Sequence, residues 1–208
     1  MSVDAGESYL FPLAYLSIEF THLHTSKSIL ALTEVFDTFL DRSNGRPLHF
    51  HFIFSPNGPS VYRTAEHLLT ALLKEQRQWK DIVLDLRYLE VSSSFSRIRI
   101  TDTPIISSLA IHTYEMLCDI DKAPVYTHFK IGQSTVVRRL DLKGLIKLDA
   151  GVGLLTALKD CKLSFYDISA YVPMCMKILK SAPNLRHLTI DTDADFGHLF
   201  KSCGLAHS

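Results

Sequence analysis

Two pairs of histidines stand at alternate positions, His22-x-His24 and His49-x-His51. Alternate residues on a strand share a face, so each pair has the spacing to hold a cation from one side. The sequence places no third ligand beside either pair. His49 and His51 fit equally well as outward neighbours of inward-facing Phe50 and Phe52. Asp191-x-Asp193-x-Asp195 has the opening spacing of a calcium loop, but Phe196 stands where that loop requires glycine and Ser202 where it requires a bidentate glutamate. The four cysteines, Cys118, Cys161, Cys175 and Cys203, form no Cys-x-x-Cys pair, and nothing basic adjoins Cys161 or Cys175 in the pattern that favours a thiolate. There is no Gly-x-Ser-x-Gly elbow and no Walker loop, and Gly151-Val152-Gly153 is too short for a dinucleotide fingerprint. The expectation is a non-catalytic chain with no metal and no cofactor.

Composition narrows the partners. The chain has 208 residues, 47% hydrophobic and 21% charged, which is enough to bury a core. Lys plus Arg and Asp plus Glu are equal at 22 each, and no basic run exceeds the pair Arg138-Arg139. Phosphate neutralisation needs clustered cations, so nucleic acid and anionic membrane are not expected partners. The first residues, MSVDAGESYLF, lack the basic and apolar regions of a signal peptide. No apolar run approaches the ~20 residues that span a bilayer. With cysteines read as reduced, the expected location is cytoplasmic or nuclear.

The elements that would position any site follow from one recurring triplet: a large apolar residue, a variable one, a second large apolar residue. It occurs at Leu16-Ser17-Ile18, Phe50-His51-Phe52, Leu84-Asp85-Leu86, Leu109-Ala110-Ile111, Leu140-Asp141-Leu142, Leu163-Ser164-Phe165 and Leu188-Thr189-Ile190. Period-two alternation marks a strand buried on one face. Successive spacings are 34, 34, 25, 31, 23 and 25 residues, too long for hairpins and long enough for a crossover. Helices are expected over 28–40, on the face Ile29, Leu32, Val35, Phe36, Phe39 and Leu40, and over 61–73, with short ones over 151–158 and 172–179. Asn44-Gly45 ahead of Pro47 stops the first of these. Residues 91–96, VSSSFS, read as a loop. Trp79, the only tryptophan, falls where a helix meets a strand and suits a wedge between them.

The order of these segments resembles the fungal F-box and leucine-rich-repeat proteins. The residues that carry the likeness are Leu40-Asp41-Arg42-Ser43, Pro47-Leu48, Gln78-Trp79 and the boundary Ala182-Pro183-Asn184-Leu185-Arg186-His187-Leu188, with a degenerate version at Lys122-Ala123-Pro124. The likeness covers residues 10–193. It implies a repeat region that recognises a protein, and it implies docking to a cullin-type ubiquitin ligase only where an F-box lies upstream. Residues 1–9 are too short to hold that box, so the chain by itself is expected not to bind the ligase adaptor.

The expected fold is therefore α/β: an open leucine-rich-repeat-like solenoid, a single domain over 1–208, with parallel strands and irregular helical crossovers. A flexible tail is expected over 1–9, and the C-terminal cap is poorly formed. In such a stack neighbouring units complete one another's core. The outward positions would form a protein-binding face of Asp85, Arg87, His112, Asp141, Lys143, Tyr166, Thr189 and Asp191. The partner is an unknown protein ligand. The rival readings are a small α/β enzyme gathering strand-end residues such as Asp191 and His112 into a pocket, and a degenerate family member with no retained partner.

Overall fold

The computed structural model describes residues 14–19, 26–43, 45–53, 59–87, 97–101, 103–113, 126–133, 135–165 and 171–192. It is a mixed α/β structure, and the described strands are all parallel and lie in two sheets. The elements, in chain order, are β1 (Ala14–Glu19), α1 (Ser26–Ser43), β2 (Leu48–Ile53), α2 (Pro59–Lys74), a 3-10 turn (Gln76–Gln78), β3 (Trp79–Asp85), β4 (Arg97–Ile100), β5 (Ser108–His112), β6 (Thr127–Ile131), β7 (Arg139–Lys143), β8 (Ile146–Ala150), α3 (Val152–Ala157), β9 (Asp160–Phe165), α4 (Val172–Ser181) and β10 (His187–Thr192).

The larger sheet has seven strands in the order β1-β2-β3-β5-β7-β9-β10, so chain order and spatial order coincide. Six of the seven expected triplets fall wholly on these strands, and the seventh, Leu84-Asp85-Leu86, ends one residue beyond β3. Two of them sit one pair out of register. Phe50 faces Ile82 rather than Leu84, and Leu140 faces Cys161 rather than Leu163. Both segments carry three alternating apolar residues, Ile82-x-Leu84-x-Leu86 running one residue past β3 and Cys161-x-Leu163-x-Phe165 within β9. Alternation alone therefore fits either pair, and neighbouring-strand hydrogen bonds select the first.

The crossovers are the main correction. Those after β3, β5 and β7 carry β4, β6 and β8, which form a second, three-stranded sheet in that order. Among the described residues, α1, α2 and α4 lie in the crossovers after β1, β2 and β9, and α3 follows β8 within the crossover after β7. The second sheet has the same signature as the first: Ile98-Arg99-Ile100, Phe129-Lys130-Ile131 and Ile146-Lys147-Leu148. In each triplet the central residue is exposed and the leading residue buried.

One continuous core joins the inner faces of both sheets to the helices. It includes Phe50, Phe52, Leu84 and Leu109 from the large sheet, Ile98, Ile100, Phe129 and Ile131 from the small one, and Phe36, Leu68, Leu72 and Ile178 from α1, α2 and α4. Val35 departs from the expected helical face. It lies at the margin of the apolar arc of α1 and is exposed. Gly45 has φ +77°, the left-handed conformation that lets the chain leave α1. Gly144, at φ +97°, packs so closely on Thr113 that any side chain would meet its carbonyl oxygen. Tyr171 locks this region. Its ring stacks on Phe165 at 3.7 Å, and its hydroxyl donates to the Gly144 carbonyl at 2.9 Å and accepts from the Ile146 amide at 3.0 Å.

Candidate protein-binding face

In the large sheet, one set of alternating side chains enters the core and the other forms three rows on the outward face. The first row, from β2 to β10, is His49, Asp81, Ser108, Arg139, Asp160 and His187. The second is His51, Val83, Ala110, Asp141, Lys162 and Thr189, and the third is Ile53, Asp85, His112, Lys143, Ser164 and Asp191. Residues on adjacent strands stand ~4.8 Å apart and alternate residues along a strand ~6.7 Å apart. Charges in neighbouring rows are therefore within reach of one another.

They pair accordingly. His49 Nδ1 meets Asp81 Oδ2 at 2.9 Å, His187 Nδ1 meets Asp160 Oδ1 at 2.7 Å, and His112 Nε2 lies 3.8 Å from Asp141 Oδ2. The other Asp81 oxygen accepts from Ser107 Oγ at 2.6 Å and lies 3.7 Å from an Arg139 guanidinium nitrogen. His49 Nε2 is buried with no hydrogen-bond partner. The result is a face of mixed charge in which carboxylates meet imidazoles and an arginine, with imidazoles at both flanks.

Six of the eight residues expected on this face are placed on its strands. Asp141, Lys143, His112, Thr189 and Asp191 occupy outward positions. Asp85 shares their row but is only 3% exposed. Its carboxylate is held by Arg87, which stands in the turn after β3 and donates from Nε at 2.9 Å and from a terminal nitrogen at 2.7 Å. Burial alone would push the Asp85 pKa up; the hydrogen bonds and charge of Arg87, with a smaller contribution from His112, outweigh it and hold the carboxyl below its ordinary 3.8. Asp85 and Arg87 thus form a structural clamp at the strand end. Tyr166 lies outside the described residues.

Of the first row, only His49 was expected to point outward, as a neighbour of Phe50. The triplet pattern draws attention to the residue between two apolar ones and passes over those ahead of it, one residue before the triplet at His49, Ser108, Arg139 and His187 and three before it at Asp81 and Asp160. The signal was present, since alternation extends one step further toward each strand's start. The proposed enzymatic pairing of Asp191 with His112 is not brought together: β7 and β9 lie between their strands, which separates them by ~14 Å.

The other chemically suggestive groups resolve differently. Among the described residues no cluster of three or more His, Cys, Asp or Glu is arranged to hold a metal. His22, His24, Asp193 and Asp195 lie outside them, as do Cys118, Cys203 and residues 91–96. Cys161 and Cys175 are buried free thiols. Burial pushes the Cys161 pKa up to about 12, helped by nearby Cys175 and Asp141, so the thiolate is suppressed. Trp79 is fully buried, edge-on to Phe50 at 5.3 Å, with Nε1 donating to the Leu72 carbonyl at 3.1 Å. No described helix is long and apolar enough to cross a membrane.

Several residues that carry the sequence likeness have structural duties. The Ser43 hydroxyl lies 2.6 Å from the Leu40 carbonyl and 3.1 Å from Gln78 Oε1, tying the end of α1 to the turn before Trp79. Asn184 Nδ2 donates to the Thr156 carbonyl at 2.7 Å, bracing the connection into β10 against α3 in the preceding crossover. No family model, curated protein or solved structure matches the chain.

Proposed function

We propose that the chain is a non-catalytic protein-recognition module, a leucine-rich-repeat-like solenoid of the kind that selects substrates for an F-box-type ubiquitin ligase. The observation that carries this reading is the coincidence of chain order with spatial order across seven parallel strands. Such an array gives each unit a core completed by its neighbours and sets one outward residue row beside the next. The outward rows mix imidazoles, carboxylates, lysines and an arginine. This composition suits a polar interface whose specificity comes from charge complementarity. The ligand is a protein rather than nucleic acid or membrane, and contact with the ligase adaptor would depend on an F-box joined to this region.

The test is cross-linked affinity capture with quantitative mass spectrometry. Wild type is compared with a variant carrying Asp141→Ala, Lys143→Ala and Thr189→Ala, whose fold is checked by circular dichroism. The expected result is a protein recovered with wild type and lost with the variant. Equal recovery from both would remove this face from the reading.

A further inference from the structure

The outward face of the small sheet is charged differently from that of the large one. Its two rows are Arg97, His128 and Lys147, and Arg99, Lys130 and Asp149. All six side chains are exposed. Four permanent cations therefore face a single carboxylate in a chain whose total charge balances at 22 against 22. Among the described residues, no carboxylate pairs with Arg97, Arg99, Lys130 or Lys147. Lys147 rests over the Tyr126 ring, 4.6 Å from its centroid. Arg99 and Lys130 are direct cross-strand partners, a like-charge arrangement that opposes the pairing it sits on. On the large sheet, by contrast, Asp81, Asp141 and Asp160 meet imidazoles or an arginine. On one outward face the carboxylates have partners within the chain, and on the other the four cations have no carboxylate partner among the described residues.

We propose that the face built by β4, β6 and β8 is a second docking surface, separate from the large-sheet rows, and that its partner is an extended acidic protein segment. Spacing and composition favour that partner over other polyanions. Alternate residues of an extended peptide repeat every ~6.7 Å, the separation of Arg97 from Arg99 and of His128 from Lys130. Asp149 occupies one corner, where it repels a phosphate backbone but accepts a basic residue of a peptide. None of the six is Phe, Tyr or Trp, so the face offers unpaired bases only the His128 imidazole and guanidinium planes to stack on. None is apolar, so it has no group to insert below lipid headgroups. The surface is held in place at both sides. Gln76 donates to the Arg99 carbonyl at 3.1 Å and accepts from the Thr101 amide at 2.8 Å, and Lys177 of α4 reaches the Ala150 carbonyl at 3.5 Å, extending the positive ground beyond β8.

Fluorescence anisotropy with a labelled peptide of alternating Glu and Ser tests this on the full chain at about 50 and 200 mM salt. The comparators are a single-stranded oligothymidylate of equal nominal charge and phosphatidylserine-containing vesicles. The expected result is saturable peptide binding that weakens with salt. The exposed double reversal Arg99→Glu with Lys130→Glu should weaken it at least about tenfold, and Lys162→Glu on the large sheet should leave it unchanged. The proposal is overturned by absence of saturable binding at low salt, by an unchanged affinity in the double reversal, by an equal loss in Lys162→Glu, or by tighter binding of the oligonucleotide or the vesicles than of the peptide.

Discussion

Replacing Trp79 with alanine should lower the stability of the chain by about 3–5 kcal/mol, the range for removing a fully buried large aromatic. The indole is 0% exposed, so no solvent contact softens the loss. It stands at the first residue of β3, edge-on to Phe50 of β2, and donates back to the Leu72 carbonyl of α2. It therefore joins two strands and the preceding helix. Phenylalanine at the same position keeps much of the packing and loses the hydrogen bond. The Leu72 carbonyl still accepts from the Glu75 amide at 3.0 Å, so it is not orphaned, and the cost of Trp79→Phe should be only about 1–2 kcal/mol. Because Trp79 is the only tryptophan, the variants have no indole emission, and denaturant unfolding must be followed by far-ultraviolet circular dichroism. A domain stable by ~5–15 kcal/mol would lose a large fraction of that margin in the alanine variant and much less in the phenylalanine variant. If Trp79→Ala unfolds within about 1 kcal/mol of wild type, or if both variants cost the same, the wedge argument is wrong.

Two further outcomes follow from groups held away from water. Asp85→Asn should destabilise by about 1–2 kcal/mol at neutral pH, the value of a charge-assisted pair reduced because Arg87 is partly solvated. The folded pKa of Asp85 lies below its ordinary 3.8, so its contribution is complete above that pH and lost as pH falls through the folded value. Wild type and variant should therefore converge in acid, and a gap that stays constant from pH 7 to pH 3 would contradict the clamp. Cys161 and Cys175 should resist a thiol-specific reagent in the native chain and react once denaturant is added. Stoichiometric native labelling of both, read by mass spectrometry of their peptides, would show that the core around β9 and α4 opens.

The strands were legible because burial on one face imposes a period of two that few other arrangements produce. All seven triplets of the large sheet could be read for that reason. Which pair of a longer alternating run lies in register could not, because Ile82-Val83-Leu84 and Leu84-Asp85-Leu86 satisfy the same rule. The choice is made by hydrogen bonds to a strand distant in sequence. The small sheet carried the same pattern but sat in segments where a returning chain is expected to be helical, and its strands of four or five residues, such as RIRI and IKLDA, are short. Asp85 shows a different limit. Alternation sets which face a residue takes but not how deeply its neighbours cover it, and Arg87 folding back from the next turn buries it.

Charge sorting between the two faces was hidden for a related reason. Along the chain, the cations of the small sheet alternate with apolar residues, as in Ile98-Arg99-Ile100 and Phe129-Lys130-Ile131, so no window looks basic. Parallel pairing then places these residues beside one another from segments 31 and 19 positions apart, and a balanced composition yields a basic surface. The argument from overall neutrality against an anionic ligand holds for the molecule's net charge and fails for its local field, since attraction within a Debye length of ~8–10 Å depends on the charges inside that radius. Neutrality still constrains the partner. With a net charge of zero for the whole chain, association through Arg97, Arg99, Lys130 and Lys147 has little long-range steering behind it, and its affinity must come from contacts made on the patch itself.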